Sequence, residues 1–399
     1  MLSFGAFSVS RLPRIVFGAG TFSRLPVIVA EYGRRVLIVT GGRSLRRSAR
    51  WAQLLKAFGN AGIAVEDIRV EGEPSPQMVD EAVAACRPKK IEVVLGIGGG
   101  SALDAAKAIA GLLPYGNSVM DHLEGVGRDI PYRGPATPLI AVPTTAGTGS
   151  EATKNAVLSV QGTEGFKKSF RDDALVAQVA VVDPELLATC PPEVIAANGM
   201  DAFTQLLESF VSARANPFTD ALALSGMQAV RDGFFAAWHG GDSREAGHGR
   251  ACMAYAALMS GITLAQAGLG SVHGLASPLG AYFPIPHGVV CGTLVAAATE
   301  INIRALHERE PEHPALEKYA RAGELFAEIP SRATEAPRET LVRTLYEWTA
   351  RLKIPTLQAY GVRDSDMRRI VSGARGSSMK TNPIVLTDDE IAEIVEMRL

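Results

Sequence analysis

The first half of the chain alternates short, unbroken hydrophobic runs with segments of helical periodicity. Four runs, at 35–40, 91–97, 139–143 and 179–183, are closed by glycine, proline or an acidic residue. Buried strands of a parallel sheet have this pattern, and helical segments between them, such as 78–85, indicate βαβ units. The pattern therefore predicts a parallel sheet, whose ligands bind beyond the carboxyl ends of its strands.

After Pro191 and Pro192 the chain becomes rich in Ala, Leu and Met at helical spacing. Helices are predicted at 193–213, 217–237, 249–268, 314–328 and 337–352. The segment 238–248 has three glycines and two histidines and predicts an exposed loop. We therefore expect an α/β domain at 1–190, an all-helical domain at 191–399, and a site in the cleft between them.

Charge and cysteine usage narrow the class of protein. Forty basic and 42 acidic residues leave a net charge of -2, which gives no reason to expect a nucleic acid or a membrane surface as partner. Arg11 and Arg14 interrupt the N-terminal hydrophobic residues, so we expect no signal peptide, and no run is long enough for a membrane span. Because the four cysteines form no CxxC pair, we expect a cytoplasmic protein. Cys291 lies near two histidines, but a small buried hydrophobic residue is the favoured interpretation.

A glycine-rich turn directly follows the second predicted strand. Gly98, Gly99 and Gly100 precede Ser101 and a helical stretch that contains Asp104. Glycines let a backbone approach a phosphate closely, and the following helix offers free N–H groups and a positive dipole end. The turn has neither the Rossmann pattern G-x-G-x-x-G nor the Gly-Lys-Ser/Thr of a P-loop, so alone it fits a nucleotide site or a tight turn equally.

A loop rich in hydroxyl groups follows the third predicted strand. It contains Thr144, Thr145 and Thr148 with glycines between them. Such a loop can hold a diphosphate or a ribose, although the same residues could instead cap the next helix. Two such loops at strand ends of one sheet favour a dinucleotide site.

Two histidines, His273 and His287, flank a Gly/Pro-rich segment in the otherwise helical half. Imidazoles are common metal ligands, and two that are held by one turn could share an ion. Asp201, at the predicted start of a helix, could supply a third ligand, or could simply be an acid that the helix dipole favours. Spacing alone leaves both interpretations open.

Together these residues resemble the iron-containing, group III alcohol dehydrogenases. The resemblance runs from 14–20 to 381–383 and includes GGGSALDAAK, PTTAGTGSEAT, DPELLATCPP, NGMDAFTQLLE, ANPFTDALAL and HGLASPLGAYFPIPHG in the family's order. It implies a dehydroquinate synthase-like architecture: an N-terminal α/β dinucleotide-binding domain with a parallel sheet, followed by an all-α domain. It also implies a homodimer.

The resemblance implies a metal held by an aspartate, a histidine four residues later and two histidines fourteen apart. Asp201, His273 and His287 match this set and would be the catalytic centre, but Gln205 stands at the second position. A glutamine oxygen can bind a divalent ion, although it is a harder ligand than imidazole. Fe²⁺ is expected, Zn²⁺ or Mn²⁺ could replace it, and a protein that works without metal stays open. Ser277 stands where a further histidine is frequent and removes a candidate proton relay.

The resemblance also implies which residues hold the cofactor. They are Gly41, Gly42, Ser44, Gly98, Gly99, Gly100, Ser101, Asp104, Thr144, Thr145, Thr148 and Lys154. Members that use NAD often carry an aspartate where this chain has Gly41, and arginines at 43, 46 and 47 follow. A missing carboxylate beside arginine favours NADP, unless these arginines are only a solvated helix face.

We therefore expect an NAD(P)-dependent alcohol dehydrogenase or aldehyde reductase, in which hydride passes between nicotinamide and a small alcohol or aldehyde polarised by a divalent metal. The first alternative is a metal-free reductase of the same fold, resembling maleylacetate reductase. A lyase of the dehydroquinate synthase type needs a basic site, and 261–292 contains no lysine or arginine. A non-catalytic nucleotide-binding module would not need the aspartate and histidines.

Overall fold

The computed structural model describes residues 5–162, 165–327 and 336–399. Six parallel strands form one sheet in the order β1-β8-β5-β4-β2-β3. They are β1 Arg14–Phe17, β2 Arg35–Thr40, β3 Ala64–Arg69, β4 Val93–Gly98, β5 Leu139–Pro143 and β8 Val179–Val182. A separate antiparallel hairpin is formed by β6 Asn155–Val160 and β7 Phe166–Arg171. The parallel sheet predicted from the hydrophobic runs is confirmed.

Helices cover the sheet and make up most of the second half. The first four are α1 Leu25–Ala30, α2 Ala49–Asn60, α3 Pro76–Cys86 and α4 Gly100–Leu112. The others are α5 Pro192–Val211, α6 Pro217–His239, α7 Arg244–Ala267, α8 Ser271–Tyr282, α9 His287–Arg309, α10 Pro314–Glu324, α11 Pro337–Arg351, α12 Met367–Gly373 and α13 Asp388–Glu396. The helical character of this half is confirmed, and the last residue of the helix predicted at 314–328 lies outside the described residues.

The central strands β2, β4 and β5 are hydrophobic along their length because helices cover both faces of the sheet. Val93, Leu95, Ile97, Ile140 and Val142 of β4 and β5 are all at most 1% exposed and share a core with the first two helices. The opposite face packs on α4. This arrangement fixes the carboxyl ends of three neighbouring strands at one edge.

The loop predicted at 238–248 is shorter in the structure, where only residues 240–243 separate α6 from α7. Helix α6 continues through His239, and α7 begins at Arg244 with Ser243 accepting a hydrogen bond from the Ala246 N–H at 3.0 Å. Gly247, one of the three glycines that predicted the loop, lies inside α7, and Gly249 two residues later serves helix packing. A Cβ on Gly249 would lie 2.5 Å from the backbone nitrogen of Ala237, so α6 and α7 approach too closely for a side chain there.

The segment between the two histidines is also more helical than the sequence predicted. His273 lies in the first turns of α8, Pro278 lies inside that helix, and only residues 283–286 separate it from α9. Helix α9 has the length and hydropathy of a membrane span, but 83% of its most hydrophobic 18-residue window is buried within the protein. It is thus a core helix whose first residue, His287, faces the cleft.

Candidate functional site

The three loops predicted to hold a dinucleotide meet at the carboxyl ends of β2, β4 and β5. The Gly41 N–H donates to the Ile97 carbonyl at 3.3 Å, and the Thr144 N–H donates to the Gly98 carbonyl at 2.9 Å. A Cβ on Gly98 would lie 2.5 Å from the Ala102 Cβ and 3.1 Å from the Gly41 nitrogen. Glycine is therefore required at 98 by close packing.

Helix α4 begins at this junction with Gly99 as its N-cap and without a side-chain cap. The first N–H groups of such a helix have no acceptor within it and carry the positive end of the helix dipole. Thr145 and Thr148 lie over them: a Cβ on Gly99 would be 3.1 Å from the Thr145 hydroxyl, and one on Gly100 would be 2.9 Å from that of Thr148. The glycine turn and the threonine loop thus form one polar cradle suited to a diphosphate.

Asp104, one turn into α4, is already engaged by the protein. Its Oδ1 accepts a 2.5 Å hydrogen bond from the Ser150 hydroxyl, and its Oδ2 accepts one of 3.1 Å from the Val157 N–H. The fully buried Lys107 donates to Thr153 at 2.8 Å and to the Asn155 carbonyl at 2.6 Å. Burial lowers the pKa of Lys107 despite the nearby Asp104. These contacts fix the cradle against the β6–β7 hairpin.

The second cluster is built by three helices of the other half. Asp201 lies in the middle of α5 and not at the start of a helix as predicted, so the dipole of a helix start does not explain it. His273 lies near the start of α8, His287 at the start of α9, and Cys291 one turn further along α9. One donor atom of each of these four residues lies within 4.8 Å of the others. Four such atoms this close, from three helices, are a group that could share one metal ion.

Two buried atoms of this cluster lack a hydrogen-bond partner among the described residues. They are Asp201 Oδ2 and His287 Nδ1. Buried polar atoms are nearly always satisfied, so an orphan carboxylate oxygen on a fully buried aspartate calls for a cation. The residues present therefore fit a divalent metal.

Burial and neighbouring charges shift the pKa values of the titratable side chains of the cluster in different directions. Burial, reinforced by Lys167 and His273, lowers the pKa of His287 to about 4. Burial raises the pKa of Cys291 to about 12. Burial opposes protonation of His273, yet its pKa is raised overall by Cys291, Glu208 and Asp201. At neutral pH the His287 imidazole is neutral, the form that binds metals.

Gln205 does not offer its oxygen to the cluster. Its Nε2 donates to Asp201 Oδ1 at 3.3 Å, and its Oε1 accepts a 2.7 Å hydrogen bond from the Ser260 hydroxyl. A carboxylate only accepts hydrogen bonds, so the amide nitrogen must face Asp201. In this arrangement Gln205 orients Asp201, and its role as a metal ligand stays a prediction.

The cradle and the cluster open into one cleft of about 510 Å³. Its lining includes Gly100, Ser101, Asp104, Thr148, His273 and His287. All six are site residues predicted from the sequence, and the fold brings them together in this cleft. Lys154 is not among the lining residues, because its ammonium pairs with Asp173 at 2.8 Å.

The first predicted cofactor loop lies at the far end of the cradle. Gly42 and Ser44 are exposed there, and among the described residues no atom lies within 4 Å of a Cβ built on Gly42. Arg46 is engaged: its Nε donates to the Thr40 hydroxyl at 2.8 Å, and its guanidinium pairs with Asp67. Arg43 and Arg47 are exposed and form no ion pair within the described part of the chain.

Sequence reasoning missed several residues of this site. Glu208 accepts a 2.6 Å hydrogen bond from His273 Nδ1, and it lies seven residues after Asp201 on the same face of α5. Lys167 and Glu73 form a 2.5 Å ion pair on the cleft wall. The heptad spacing from Asp201 was a usable signal for Glu208. The Lys167–Glu73 pair joins residues 94 apart and had no local signal.

A dinucleotide cradle at the edge of a parallel sheet, facing an Asp/His cluster in a helical half, defines the class of metal-assisted nicotinamide-dependent dehydrogenases. Residues 13–184 match the family "Iron-containing alcohol dehydrogenase", and residues 195–399 match the C-terminal part of the Fe-containing alcohol dehydrogenase family. The chain belongs to the iron-containing alcohol dehydrogenase family.

Individual relatives agree over nearly the whole chain. Alcohol dehydrogenase 4 of Saccharomyces cerevisiae is 32% identical over 367 residues, which are 91% of this chain and 90% of the relative. An NADPH-dependent butanol dehydrogenase of Clostridium saccharobutylicum is 30% identical, covering 91% of both chains. A crystal structure of a 1,3-propanediol oxidoreductase superposes with a TM-score of 0.88 at 28% identity, covering 99% of this chain and 100% of that one. The protein is thus an oxidoreductase that acts on CH–OH groups, in a family that uses NAD(P) and a metal.

Proposed function

We propose that the chain interconverts a small alcohol and its aldehyde, with Asp201, His273 and His287 holding a divalent cation at the inner end of the cleft. The observation that carries this proposal is that the metal-ligand cluster and the dinucleotide cradle open into the same 510 Å³ cleft. A nicotinamide and a substrate oxygen can therefore meet between them.

The cofactor is placed by the backbone of the cradle and by its hydroxyl groups. The free N–H groups at the start of α4, at Gly100 and Ser101, take the diphosphate, and Thr145 and Thr148 close over it. Gly98, Gly99 and Thr144 keep the strand ends close enough for this contact. Asp104 supports the cradle through Ser150 and the hairpin, and is a positioning residue.

Asp201, His273 and His287 would hold the cation, which would supply a Lewis acid for the oxygen of the substrate. Glu208 fixes the His273 ring so that Nε2 faces Asp201 at 3.2 Å. Gln205 holds the same Asp201 oxygen from the other side. Ser277 lines the cleft in place of a histidine, so the alcohol proton exchanges with solvent through the cleft. The orphan Asp201 oxygen favours this reaction over that of a metal-free reductase.

We further propose a preference for NADP over NAD. Gly41 places no carboxylate beside the adenosine end of the cradle, and the exposed Arg43 and Arg47 can pair with a 2′-phosphate. Arg46 contributes less to this preference because Asp67 and Thr40 already hold it.

We also propose that the protein is a homodimer, that it is cytoplasmic, and that it divides into two domains. Strand β1 is an edge of the sheet with Ile15 39% and Phe17 40% exposed, which suits pairing with a second copy of the chain as a homodimer. All four cysteines are free, as in a cytoplasmic protein. We place the domain boundary at 190/191, just before α5 begins.

The test is NADPH- and NADH-dependent reduction of propanal and butanal by the purified wild-type protein and two variants. His287→Ala should lower kcat/KM at least about 100-fold, since several kcal/mol of charge stabilisation are lost. His239→Ala, at an exposed histidine at the end of α6, is the control and should match wild type. No aldehyde reduction by wild type with either cofactor would refute the proposal, as would full activity in His287→Ala.

A further inference from the structure

The site lacks the family's second histidine, but a thiol occupies the space beside the remaining ligands. Cys291 Sγ lies 3.6 Å from His273 Nε2 and 3.8 Å from His287 Nε2. Cys291 follows His287 by four residues, so both project from the same face of α9. The oxygen of Gln205, the other candidate for a fourth ligand, is occupied by Ser260.

The distances between the donor atoms match those of a tetrahedral site. Bonds of about 2.0–2.1 Å from Zn²⁺ to nitrogen or oxygen and about 2.3 Å to sulfur place two such ligands about 3.3 Å apart, and a nitrogen and a sulfur about 3.5 Å apart. Asp201 Oδ1 lies 3.2 Å from His273 Nε2 and 3.7 Å from His287 Nε2. The sulfur distances of 3.6 and 3.8 Å agree equally well.

In the described part of the chain, the thiol of Cys291 interacts with His273, His287 and Asp201, the residues that would hold the metal. Cys291 is 0% exposed, and its sulfur lies within hydrogen-bonding distance of Nε2 of His273 and Nε2 of His287. The orphan Asp201 oxygen lies on the same cluster and independently indicates a cation there. Cys291 belongs to the hydrophobic core of the helical half, but its sulfur also lies beside two metal-ligand nitrogens, which packing alone does not require.

We propose that Cys291 is the fourth protein ligand of the metal, as a thiolate, in place of the histidine that is absent at Gln205, with the substrate oxygen binding as a fifth ligand during the reaction. Binding replaces the S–H bond by a sulfur–metal bond and releases the proton to solvent, with no change of oxidation state. This inference rests on the metal site of the proposed function. A thiolate among two imidazoles and a carboxylate selects a softer ion than the oxygen- and nitrogen-only set, so the site should prefer Zn²⁺ over Mn²⁺ or Mg²⁺.

The experiment loads the metal-free protein with Co²⁺ and records its near-ultraviolet and visible spectrum, with bound cobalt measured by mass spectrometry. Wild type should show a thiolate-to-cobalt charge-transfer band together with tetrahedral d–d bands. Cys291→Ser and Cys291→Ala should lose the charge-transfer band. Cys252→Ser is the matched control, because that cysteine lies 3.4 Å from His248 on the protein surface, and its band should match wild type.

A second readout does not depend on cobalt. Cys291→Ser should lower the affinity for Zn²⁺ at least about tenfold more than the affinity for Mn²⁺, since only the softer ion gains from sulfur. Wild type alone already decides the main question, so a variant that fails to fold leaves the test intact. About one cobalt per chain without a charge-transfer band would overturn the thiolate ligand while leaving the proposed function standing. Absence of any bound metal would overturn both.

Discussion

The Nδ1 of His273 donates a 2.6 Å hydrogen bond to Oε2 of Glu208, a carboxylate with its other oxygen on the Val272 N–H at 2.7 Å. The bond fixes the tautomer of His273, leaving Nε2 free to face Asp201. A carboxylate behind a ligand histidine orients the ring and raises its basicity. We therefore expect Glu208 to raise the metal affinity of the site without itself contacting the ion.

We predict that Glu208→Gln weakens metal binding by about 10- to 100-fold, the usual cost of losing such a partner. The measurement is a competition titration of the metal-free protein with Zn²⁺ and a chromophoric chelator. Glu193→Gln, at an exposed position in the first turn of the same helix, is the control. An unchanged zinc affinity in Glu208→Gln would show that the ring is held by packing alone.

Gly98→Ala should disrupt the cofactor cradle. The new Cβ would lie 2.5 Å from that of Ala102, so the turn must move away from α4 and Gly41. Overpacking of this kind costs about 1–3 kcal/mol, and we expect the Kd for NADPH to rise about tenfold or more. Fluorescence titration measures it, with Gly59→Ala as the control because nothing lies within 4 Å of a Cβ there. Tight cofactor binding by Gly98→Ala would contradict the arrangement of the cradle.

Gly41→Asp should reverse the cofactor preference. A Cβ at Gly41 meets only the Ala102 Cβ, at 3.7 Å, so an aspartate fits without strain. Its charge would repel a 2′-phosphate, and the ratio of kcat/KM for NADPH to that for NADH should fall at least about tenfold. Gly41→Asn has the same size without the charge and should stay near wild type. An equal fall in both variants would mean that size, not charge, controls the choice.

The buried Glu151 makes the free energy of unfolding depend on pH. The residue is 2% exposed, and burial raises its pKa from 4.5 to about 7, against the attraction of Lys107. Because the pKa is higher in the folded state, protonation of Glu151 stabilises the fold. This contribution to the free energy of unfolding is fully present below about pH 4.5 and is lost as the pH rises through about 7. Relative to wild type, Glu151→Gln should gain up to about 3 kcal/mol in free energy of unfolding between about pH 4.5 and pH 8.

Urea unfolding of both proteins across this range measures that difference. Glu193→Gln removes an exposed carboxyl and is the control for the substitution itself. A constant difference between Glu151→Gln and wild type at every pH would show that the pKa of Glu151 is the same in the folded and unfolded protein.

The parts of the fold that the sequence predicted are those with local causes. The strand at 35–40 and the glycine turn at 98–100 follow from neighbouring residues: hydrophobic runs form buried strands, and glycines mark the turn. The same logic failed at Gly247, which lies inside α7 rather than in the predicted loop at 238–248. A single sequence does not distinguish these two uses of glycine.

The candidate site likewise combines residues that the sequence indicates with residues whose role depends on the fold. Asp201, His273 and His287 could be named because their residue types and spacing resemble a family pattern, but the role of Cys291 depends on how α5, α8 and α9 pack. Its sulfur meets His273 across 18 residues of sequence, and no local pattern encodes that contact. The orientation of Gln205 likewise depends on Ser260, 55 residues away.

We propose that one metal ion bound in this cleft is required for the reduction of an aldehyde. The most direct measurement is metal content by mass spectrometry of the purified protein, together with NADPH-dependent aldehyde reduction before and after chelation. We predict about one metal per chain, loss of activity on chelation, and recovery when Zn²⁺ or Fe²⁺ is returned. A metal-free protein that reduces aldehydes at full rate would contradict the account.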